Sequence, residues 1–317
     1  VAPAIGPTFG GIMTQYFTWR YIFICVLPVI VLASFIGYFC MSEQIINKHE
    51  KFDLLSFIAV AFAFVSLIMG FSNLNQIVDD LVFVLGCFII GIISLYYFTK
   101  RQLHIKNPLI HLDIFNHKSF TFHTLAIMFL QMTTLGYGLL LPTFVQIVLK
   151  QSATDAGVVL LPGAIVGAVV APIGGLILDR LGAKKPIVLG LCCSFIATFC
   201  FLFFFKNLTY QSCILFYFIY SLGIGLIVGN TMTSAMSHLP KNLQADGNAT
   251  LQTLMQLSGG IGTSITAAIL AFVQQGINLY DGTNRGALFV LIFLMFNINI
   301  VILSQYFAFK GGIKNEF

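Results

Sequence analysis

Long apolar runs separated by short polar breaks recur along the whole sequence, from Val1 to Phe309. A helix needs about 20 apolar residues to cross the hydrocarbon core of a membrane, and most of the runs reach that length. Hydrophobic residues make up 58% of the 317 residues and charged residues only 9%, whereas soluble domains carry about 25% charged residues. A soluble fold could not bury so much apolar surface, so the sequence predicts an all-α integral membrane protein.

The basic residues fall mostly in alternate breaks between the apolar runs. Of the 16 Lys and Arg residues, 12 lie in one set of breaks and four in the other. Short loops rich in Lys and Arg stay on the cytoplasmic side of a membrane, so the pattern predicts the side of each loop and a cytoplasmic C-terminus. These loops also account for the net charge of +5, and nucleic acid is not needed to explain it. The predicted cytoplasmic set is Lys48, Lys51, Lys100, Arg101, Lys106, Lys118, Arg180, Lys184, Lys185, Lys241, Lys310 and Lys314, and the opposite set is Arg20, Lys150, Lys206 and Arg285.

The apolar runs divide into about ten predicted spans. The first is too short for a complete crossing and opens at Val1 without Met, so we expect a fragment that begins inside a helix. The fifth is too long for one simple crossing, and Pro142 predicts a bend or the outer end of its helix. The predicted spans cover residues 1–16, 19–41, 53–73, 81–99, 119–149, 154–178, 186–205, 210–234, 248–274 and 286–309.

Polar side chains are distributed unevenly among these spans. No Asp or Glu lies in the middle of a span, although a carboxylate there commonly marks an ion pathway. If the protein is proton-coupled, we therefore expect its titrating group to precede Val1. Neutral amides and hydroxyls are concentrated in the fifth, eighth and ninth spans, whereas His123, at the start of the fifth, is expected to be an interfacial residue. Hydrogen bonds between membrane helices contribute only about 0.6 kcal/mol each, so a water-filled, substrate-facing cavity explains this concentration better than adhesion between helices. Adhesion remains the alternative for any single residue.

Small residues recur at every fourth position in three spans, including Gly259, Thr263, Ala267 and Ala271 in the ninth, which predicts close helix packing. The other two stripes are Gly163, Gly167, Ala171 and Gly175 in the sixth span and Ser221, Gly225, Gly229 and Thr233 in the eighth. The sequence contains no nucleophile–base pair, phosphate-binding loop, paired acids or metal-ligand cluster. We therefore predict no catalytic residue and no metal site, and we do not expect an enzyme.

The first span contains a glycine-rich motif, Ala-Ile-Gly-Pro-Thr-Phe-Gly-Gly, followed by a Trp-Arg pair. Gly6 and Gly10 would let another helix approach closely, and Pro7 would bend the span because it removes a backbone donor. Together with Gly11 and Arg20, these residues resemble the antiporter signature on the fifth helix of drug exporters in the major facilitator superfamily.

A second motif forms the short break after the sixth span, with the sequence Gly-Gly-Leu-Ile-Leu-Asp-Arg-Leu-Gly-Ala-Lys-Lys-Pro. It resembles the loop motif that this superfamily repeats between the second and third helices of each six-helix half. In the family, the acid and the Arg latch two helices and gate the conformational change, whereas the simpler interpretation is a positively charged cytoplasmic loop. The matching residues are Gly175, Asp179, Arg180, Gly182 and Lys184.

Further segments resemble the 14-span drug:proton antiporters of the superfamily. Residues 107–115 are similar to their cytoplasmic segment before the ninth helix, and residues 141–146 and 156–163 to their ninth and tenth helices. Residues 246–249 and 256–262 are similar to the thirteenth helix. This resemblance implies a major facilitator fold in which about ten of 14 helices are present and the first four are missing. Residues 1–41 would then end the N-terminal half, 42–118 would form two inserted helices and a cytoplasmic loop, and 119–317 would form the C-terminal half.

The resemblance implies a multi-pass protein of the cell membrane that exports hydrophobic or amphipathic, often cationic, compounds by alternating access. Its expected partners are lipid, small substrates and protons, with the proton gradient as energy source, no cofactor and a monomeric state. Alternatives are a transporter of one metabolite, such as an amino acid, lipid precursor or siderophore, a membrane scaffold, or a non-functional fragment. The candidate cavity residues are Gln131, Tyr137, Asn230, Gln252 and Gln256, with Phe144 as an aromatic wall.

Overall fold

The computed structural model describes residues 2–40, 53–76, 80–105 and 108–312. The described residues form α-helices and short 3₁₀ turns and contain no strand. Nine of the described helices are long and apolar enough to cross a membrane, in agreement with nine of the predicted spans. The helices are α1 Ala2–Tyr16, α2 Arg20–Cys40, α3 Leu54–Ser72, α4 Leu81–His104, α5 Lys118–Ile147, α6 Ala153–Val158, α7 Leu161–Leu181, α8 Lys184–Phe203, α9 Tyr210–Ser237, α10 Gln244–Gln274 and α11 Leu279–Gly312.

Two helices have the unusual lengths that the sequence predicts, one too short and one too long for a simple crossing. The 15 residues of α1 rise only about 22 Å, which is shorter than the roughly 30 Å hydrocarbon core. Pro142 lies inside the continuous helix α5, which runs on to Ile147, so it does not end the helix. The 30 residues of α5 rise about 45 Å, so this helix extends beyond the hydrocarbon core or crosses it at a tilt.

The helices α5 and α7–α11 form a six-helix bundle in the described part of the chain. Helix α5 packs on α10 and α11, and helix α9 packs in the same way on α7 and α8. Exchanging the triplet α5, α7, α8 for the triplet α9, α10, α11 therefore reproduces the pattern of contacts. This internal symmetry is the arrangement expected of two three-helix repeats within one bundle.

The bundle has a basic end and an opposite end, which are defined here by their charged residues. Lys118, Lys184 and Lys310 lie at the basic end, where α5 and α8 begin and α11 finishes. Lys150 and Arg285 lie at the opposite end. The sequence predicts that the basic end is cytoplasmic.

Aromatic side chains fill the core of the bundle. Tyr137 of α5 and Tyr220 of α9 are both completely buried, and their rings lie 4.7 Å apart between centroids. Many large apolar side chains instead cover the outside, including Val169, Phe203 and Phe296, each at least 60% exposed. Such an outer surface is stable in lipid rather than in water.

Helices α3 and α4 pack against each other, and α3 also packs on α10 of the bundle. The hydroxyls of Ser72 and Ser264 are hydrogen-bonded at 2.8 Å across the α3–α10 contact. Helix α1 packs on α6 and α7 at the opposite end of the bundle. Helix α2 has no buried residue among those described.

Candidate functional site

Three of the predicted cavity residues are amides on α5 and α10, two helices that pack against each other. The side chains of Gln252 and Gln256 on α10 are exposed, and Gln131 on α5 is half-buried. Gln131 packs near Gly259, one turn beyond Gln256, because a Cβ atom added at Gly259 would lie 3.5 Å from its Cγ. These three predicted cavity residues therefore share one accessible polar face.

The other three predicted cavity residues are packed inside the bundle. Tyr137 is completely buried and donates a hydrogen bond of 3.0 Å from its hydroxyl to Thr198 Oγ1 on α8. Phe144 is only 4% exposed and belongs to the same aromatic core. Asn230 is 3% exposed, and its Nδ2 donates to the backbone carbonyl of Leu226. In the described conformation, these side chains shape the bundle from within and do not join the accessible amide face.

Helix α9 nevertheless exposes polar atoms at positions that were not among the candidates. The last turns of α9, at the basic end of the bundle, expose three residues spaced four apart: Gly229, Thr233 and Ser237. A Cβ atom added at Gly229 would meet nothing within 4 Å. Thr233 lies three residues beyond Asn230, a rotation of about 300° around the helix. The polar residues of the eighth predicted span alone could not show whether Asn230 or Thr233 faces outward.

The glycine-rich motif of α1 makes its closest contact through Gly11. A Cβ atom added there would lie 2.6 Å from the carbonyl oxygen of Ala153 in α6. Two hydrogen bonds flank this approach, from Thr8 Oγ1 to the carbonyl of Gly157 (3.3 Å) and from the backbone N–H of Thr154 to Gln15 Oε1 (3.0 Å). The motif thus joins α1 to the opposite end of the bundle.

The remaining motif residues of this segment have different surroundings. Nothing lies within 4 Å of a Cβ atom added at Gly6 or Gly10, so the described helices do not use these two positions for close packing. Pro7 belongs to α1, but its side chain lies outside the described residues. Arg20 begins α2 and places its guanidinium 4.9 Å from the ring centroid of Trp19, which is a cation–π contact.

The second motif forms the tight turn between α7 and α8 at the basic end. Gly182 follows the last residue of α7 and has φ of +79°, a conformation that favours glycine because it has no Cβ. Asp179, Arg180 and Lys184 are exposed, and among the described residues none of them makes an ion pair within 4.0 Å. Gly175 is half-buried with nothing near a Cβ position. The turn geometry agrees with the motif, whereas the latch that the resemblance implies is not formed by these residues in this conformation.

A buried polar cluster connects α5, α9 and α11, and it includes the histidine predicted to be interfacial. His123 is completely buried, so that prediction is wrong. Its Nδ1 lies 2.9 Å from Gln305 Oε1, and its Nε2 lies 3.0 Å from Ser234 Oγ. Gln305 Nε2 also donates to Thr231 Oγ1 at 3.1 Å. Since Gln305 presents its oxygen to the ring, Nδ1 carries the proton and Nε2 accepts from the serine hydroxyl.

Two pairs of side chains, the first of them an ion pair, connect the segments that precede the bundle. Asp53, just before α3, receives hydrogen bonds from Arg101 Nε (2.9 Å) and from an Arg101 terminal nitrogen (3.0 Å), and Ser56 Oγ also donates to it. The Arg101 hydrogen bonds, followed by that of Ser56, lower the pKa of Asp53 from 3.8 to about 2. In the second pair, His111 Nδ1 lies 2.5 Å from Asp246 Oδ2 at the start of α10.

The arrangement defines a class of protein: an α-helical, multi-pass membrane protein built on a bundle of two three-helix repeats. Residues 1–263 match the Major Facilitator Superfamily, and the chain therefore belongs to that superfamily. The resemblance carried by the sequence motifs is confirmed by this match.

Similar proteins include drug-resistance proteins of bacteria. The chain is 33% identical over 279 residues to the lincomycin resistance protein LmrB of Bacillus subtilis (strain 168), covering 86% of this chain and 57% of that protein. It is 24% identical over 316 residues to the putative multidrug resistance protein MdtD of Klebsiella pneumoniae (strain 342), covering 97% of this chain and 65% of that protein. The chain thus spans little more than half the length of LmrB.

One solved structure has the same fold. It is a bacterial homologue of the human lysosomal transporter Spinster, with a TM-score of 0.50, 13% sequence identity, and coverage of 80% of this chain and 67% of that chain. At this identity the likeness establishes the fold alone. It agrees with the helical architecture described above.

Proposed function

We propose that this protein takes part in proton-coupled export of hydrophobic or amphipathic compounds across the cell membrane, by alternating access. The accessible amide face of Gln131, Gln252 and Gln256 is the observation that carries the proposal, because exposed amides in membrane-spanning helices are suited to a hydrated path. The identity with LmrB and the likeness to MdtD favour drugs as substrates.

The amide face would bind substrates weakly and without strict geometry. Gln252 and Gln256 each offer two donors and one carbonyl acceptor on a flexible stem. The neighbouring core, including Tyr137 and Phe144, holds the helices of the bundle in place without itself being accessible. Orientation of substrates would then depend on adaptable polar contacts within apolar surroundings, which suits a transporter that accepts several compounds.

The contact between α1 and α6 would act as a seal during transport. Gly11 allows the backbones to approach closely, and Thr8 and Gln15 add hydrogen bonds on either side of it. We propose that this contact closes the outer side when the cavity opens to the cytoplasm. The exposed turn of Asp179, Arg180 and Lys184 would form its ion pairs at the opposite stage of the cycle.

Gln256→Ala tests the amide face. Loss of one hydrogen bond contributes about 0.5–1.5 kcal/mol, so efflux of a cationic amphipathic dye should fall about two- to tenfold at equal membrane abundance. The matched control is Asn299→Ala, because Asn299 is also an exposed amide but lies on α11 and bonds to its own backbone at Met295. Equal efflux by both variants and the unaltered protein would remove the amide face from the substrate path.

Proton coupling has a separate test. Every Asp that the structure describes lies at a helix end or in a turn, so we propose that the coupling carboxylate lies outside the described residues. Addition of substrate to everted membrane vesicles should dissipate an imposed pH gradient only when the protein is present. Efflux that persists after a proton ionophore has removed the gradient would contradict this part of the proposal.

A further inference from the structure

A groove lies between α8 and α11 at the basic end of the bundle, and none of its lining residues belongs to the amide face. Its volume is about 670 Å³. Lys184 and Lys310 lie at one end of it, and Val188, Phe195, Ile302 and Phe309 line the apolar remainder. The groove therefore combines a cationic mouth with an apolar body. We propose that it binds the headgroup and one acyl chain of an anionic phospholipid.

The dimensions of the groove fit one leaflet of a membrane. Its lining on α8 extends from Lys184 to Ile196, a rise of about 18 Å along the helix. Half of a hydrocarbon core is about 15 Å thick. An acyl chain that starts beside the lysines would thus reach the middle of the bilayer at the far end of the groove.

The charges at the mouth select for an anionic headgroup. Lys184 opens α8 and Lys310 lies in the last turn of α11, so the antiparallel helices bring both ammonium groups to one end. No acidic residue lines the groove, and within the described residues neither lysine has a carboxylate within 4.0 Å. A phosphate diester supplies the missing negative charge. Each basic residue near an anionic membrane surface contributes about fivefold in binding.

The floor of the groove is held by the buried polar cluster. Gln305 lines the groove, and its amide is already bonded to His123 and Thr231. These hydrogen bonds hold the floor of the groove in place across α5, α9 and α11 even when no lipid is bound. A bound acyl chain would cover Gln305 on the groove side of α11. It would thereby stabilise the contact of α5, α9 and α11 that the cluster forms.

A second groove provides an internal comparison. It lies between α10 and α11 near the opposite end, has a volume of about 620 Å³, and is lined by apolar side chains and Asn75 without a charged residue. Phe296 lies on it. The two grooves are similar in size and differ in the lysines at the mouth, so a difference in lipid preference between them would arise from the lysines.

The test measures local lipid contact by fluorescence quenching in vesicles. Trp19 is the only tryptophan, so Trp19→Phe combined with Tyr306→Trp places a single reporter on the lysine groove, and Trp19→Phe with Phe296→Trp places one on the second groove. Tyr306 is 60% exposed and Phe296 62%, so both sites have room for the larger ring. Brominated phosphatidylglycerol or brominated phosphatidylcholine is then titrated into unbrominated phosphatidylcholine.

We expect phosphatidylglycerol to bind at the Tyr306→Trp reporter at least about fivefold more tightly than phosphatidylcholine, with no preference at the Phe296→Trp reporter. Lys184→Gln with Lys310→Gln should abolish the preference. Lys185→Gln, which removes the same charge from the neighbouring position outside the groove, should preserve it.

Three outcomes would overturn the proposal. They are equal quenching by the two lipids at the lysine groove, an equal preference at both grooves, and a loss of preference with Lys185→Gln as large as with the double variant. Circular dichroism of each variant establishes that the helices are intact. None of these measurements depends on transport, so the lipid site and the proposed export function can fail independently.

Discussion

Helices α7 and α9 approach each other through two glycines, and a single methyl group should separate them. A Cβ atom added at Gly225 would lie 2.5 Å from the carbonyl oxygen of Gly167, about 0.9 Å less than the distance at which ordinary contact begins. The obstacle is backbone, which cannot rotate away as a side chain could. Gly225→Ala should therefore force the helices apart or tilt them. Overpacking of this kind costs about 1–3 kcal/mol.

The same helix supplies a matched control one turn away. Gly229→Ala adds the same methyl group, but nothing lies within 4 Å of it. The change from Gly to Ala alters the intrinsic helix propensity equally in both variants, so that contribution cancels when they are compared. The difference between Gly225→Ala and Gly229→Ala is thus attributable to the contact with Gly167.

The comparison is made by unfolding both proteins in mixed micelles with increasing amounts of a denaturing detergent. We expect Gly229→Ala to be as stable as the unaltered protein or more stable. Gly225→Ala should be less stable than Gly229→Ala by about 1–3 kcal/mol, which corresponds to a folded-to-unfolded ratio lower by about 5- to 150-fold. Equal stability of the two variants would refute the close approach of α7 and α9.

Three further perturbations test separate contacts. Gly11→Leu should part α1 from α6, so a cysteine introduced at Thr154 should react faster with a membrane-impermeant maleimide. Gln305→Leu removes two hydrogen bonds, including that to His123, and should lower stability by about 1 kcal/mol, since each bond between membrane helices contributes about 0.6 kcal/mol. The pKa of Asp53 is lowered from 3.8 to about 2, so its ion pair stabilises the protein above about pH 4 and is lost as the pH falls towards 2. The stability difference between the unaltered protein and Asp53→Asn should therefore be constant from about pH 5 to 8 and narrow below about pH 4.

Each of these experiments has an internal control. Cysteine labelling is performed after the native cysteines have been replaced, and a cysteine at the exposed Gln151, outside the α1 contact, should react equally with and without Gly11→Leu. Asn299→Leu removes an exposed amide from the same helix as Gln305 and should change stability much less. For Asp53 the control is the Arg101→Gln background, which removes the partner, and there the stability difference caused by Asp53→Asn should narrow much less at low pH. One result would contradict each contact. For α1 and α6 it is an unchanged labelling rate at Thr154, and for Gln305 it is an unfolding midpoint of Gln305→Leu equal to that of the unaltered protein. For Asp53 it is a stability difference between the unaltered protein and Asp53→Asn that stays constant down to about pH 2.

The helices could be predicted from the sequence because they depend on local properties. Apolar length determines which segments can cross a membrane, and nine of the predicted spans recur among the described helices. The turn at Gly182 could also be predicted from the sequence, since this glycine lies between two long apolar runs beside a cluster of cations. The error at His123 has a different origin. Its burial depends on Gln305, which lies 182 residues away in the sequence, and no local pattern contains that contact.

The glycine stripes show where sequence spacing stops being sufficient. Residues four apart are rotated by about 40° on an α-helix, so a stripe that starts at Gly163 has turned by about 120° when it reaches Gly175. Contacts with α9 accordingly involve Gly163 and Gly167 and then Gly174, which is seven residues beyond Gly167 and rotated by only about 20°. Gly175 lies beside open space. A seven-residue step keeps the same helix face, whereas repeated four-residue steps do not.

The same geometry separates the candidate cavity residues into two groups. A polar residue in a membrane helix can bond within its own bundle or face a hydrated path, and its identity is compatible with both. Asn230 satisfies its amide on the preceding turn of α9, while Thr233 on the same helix is exposed. Gln252 and Gln256 differ by one turn and remain on one accessible face, so they stay candidates for the proposed substrate path, whereas Asn230 is buried in this conformation. The direction of each side chain, which depends on how α5, α9 and α10 are rotated against one another, decides whether a polar residue stabilises the bundle or meets the substrate.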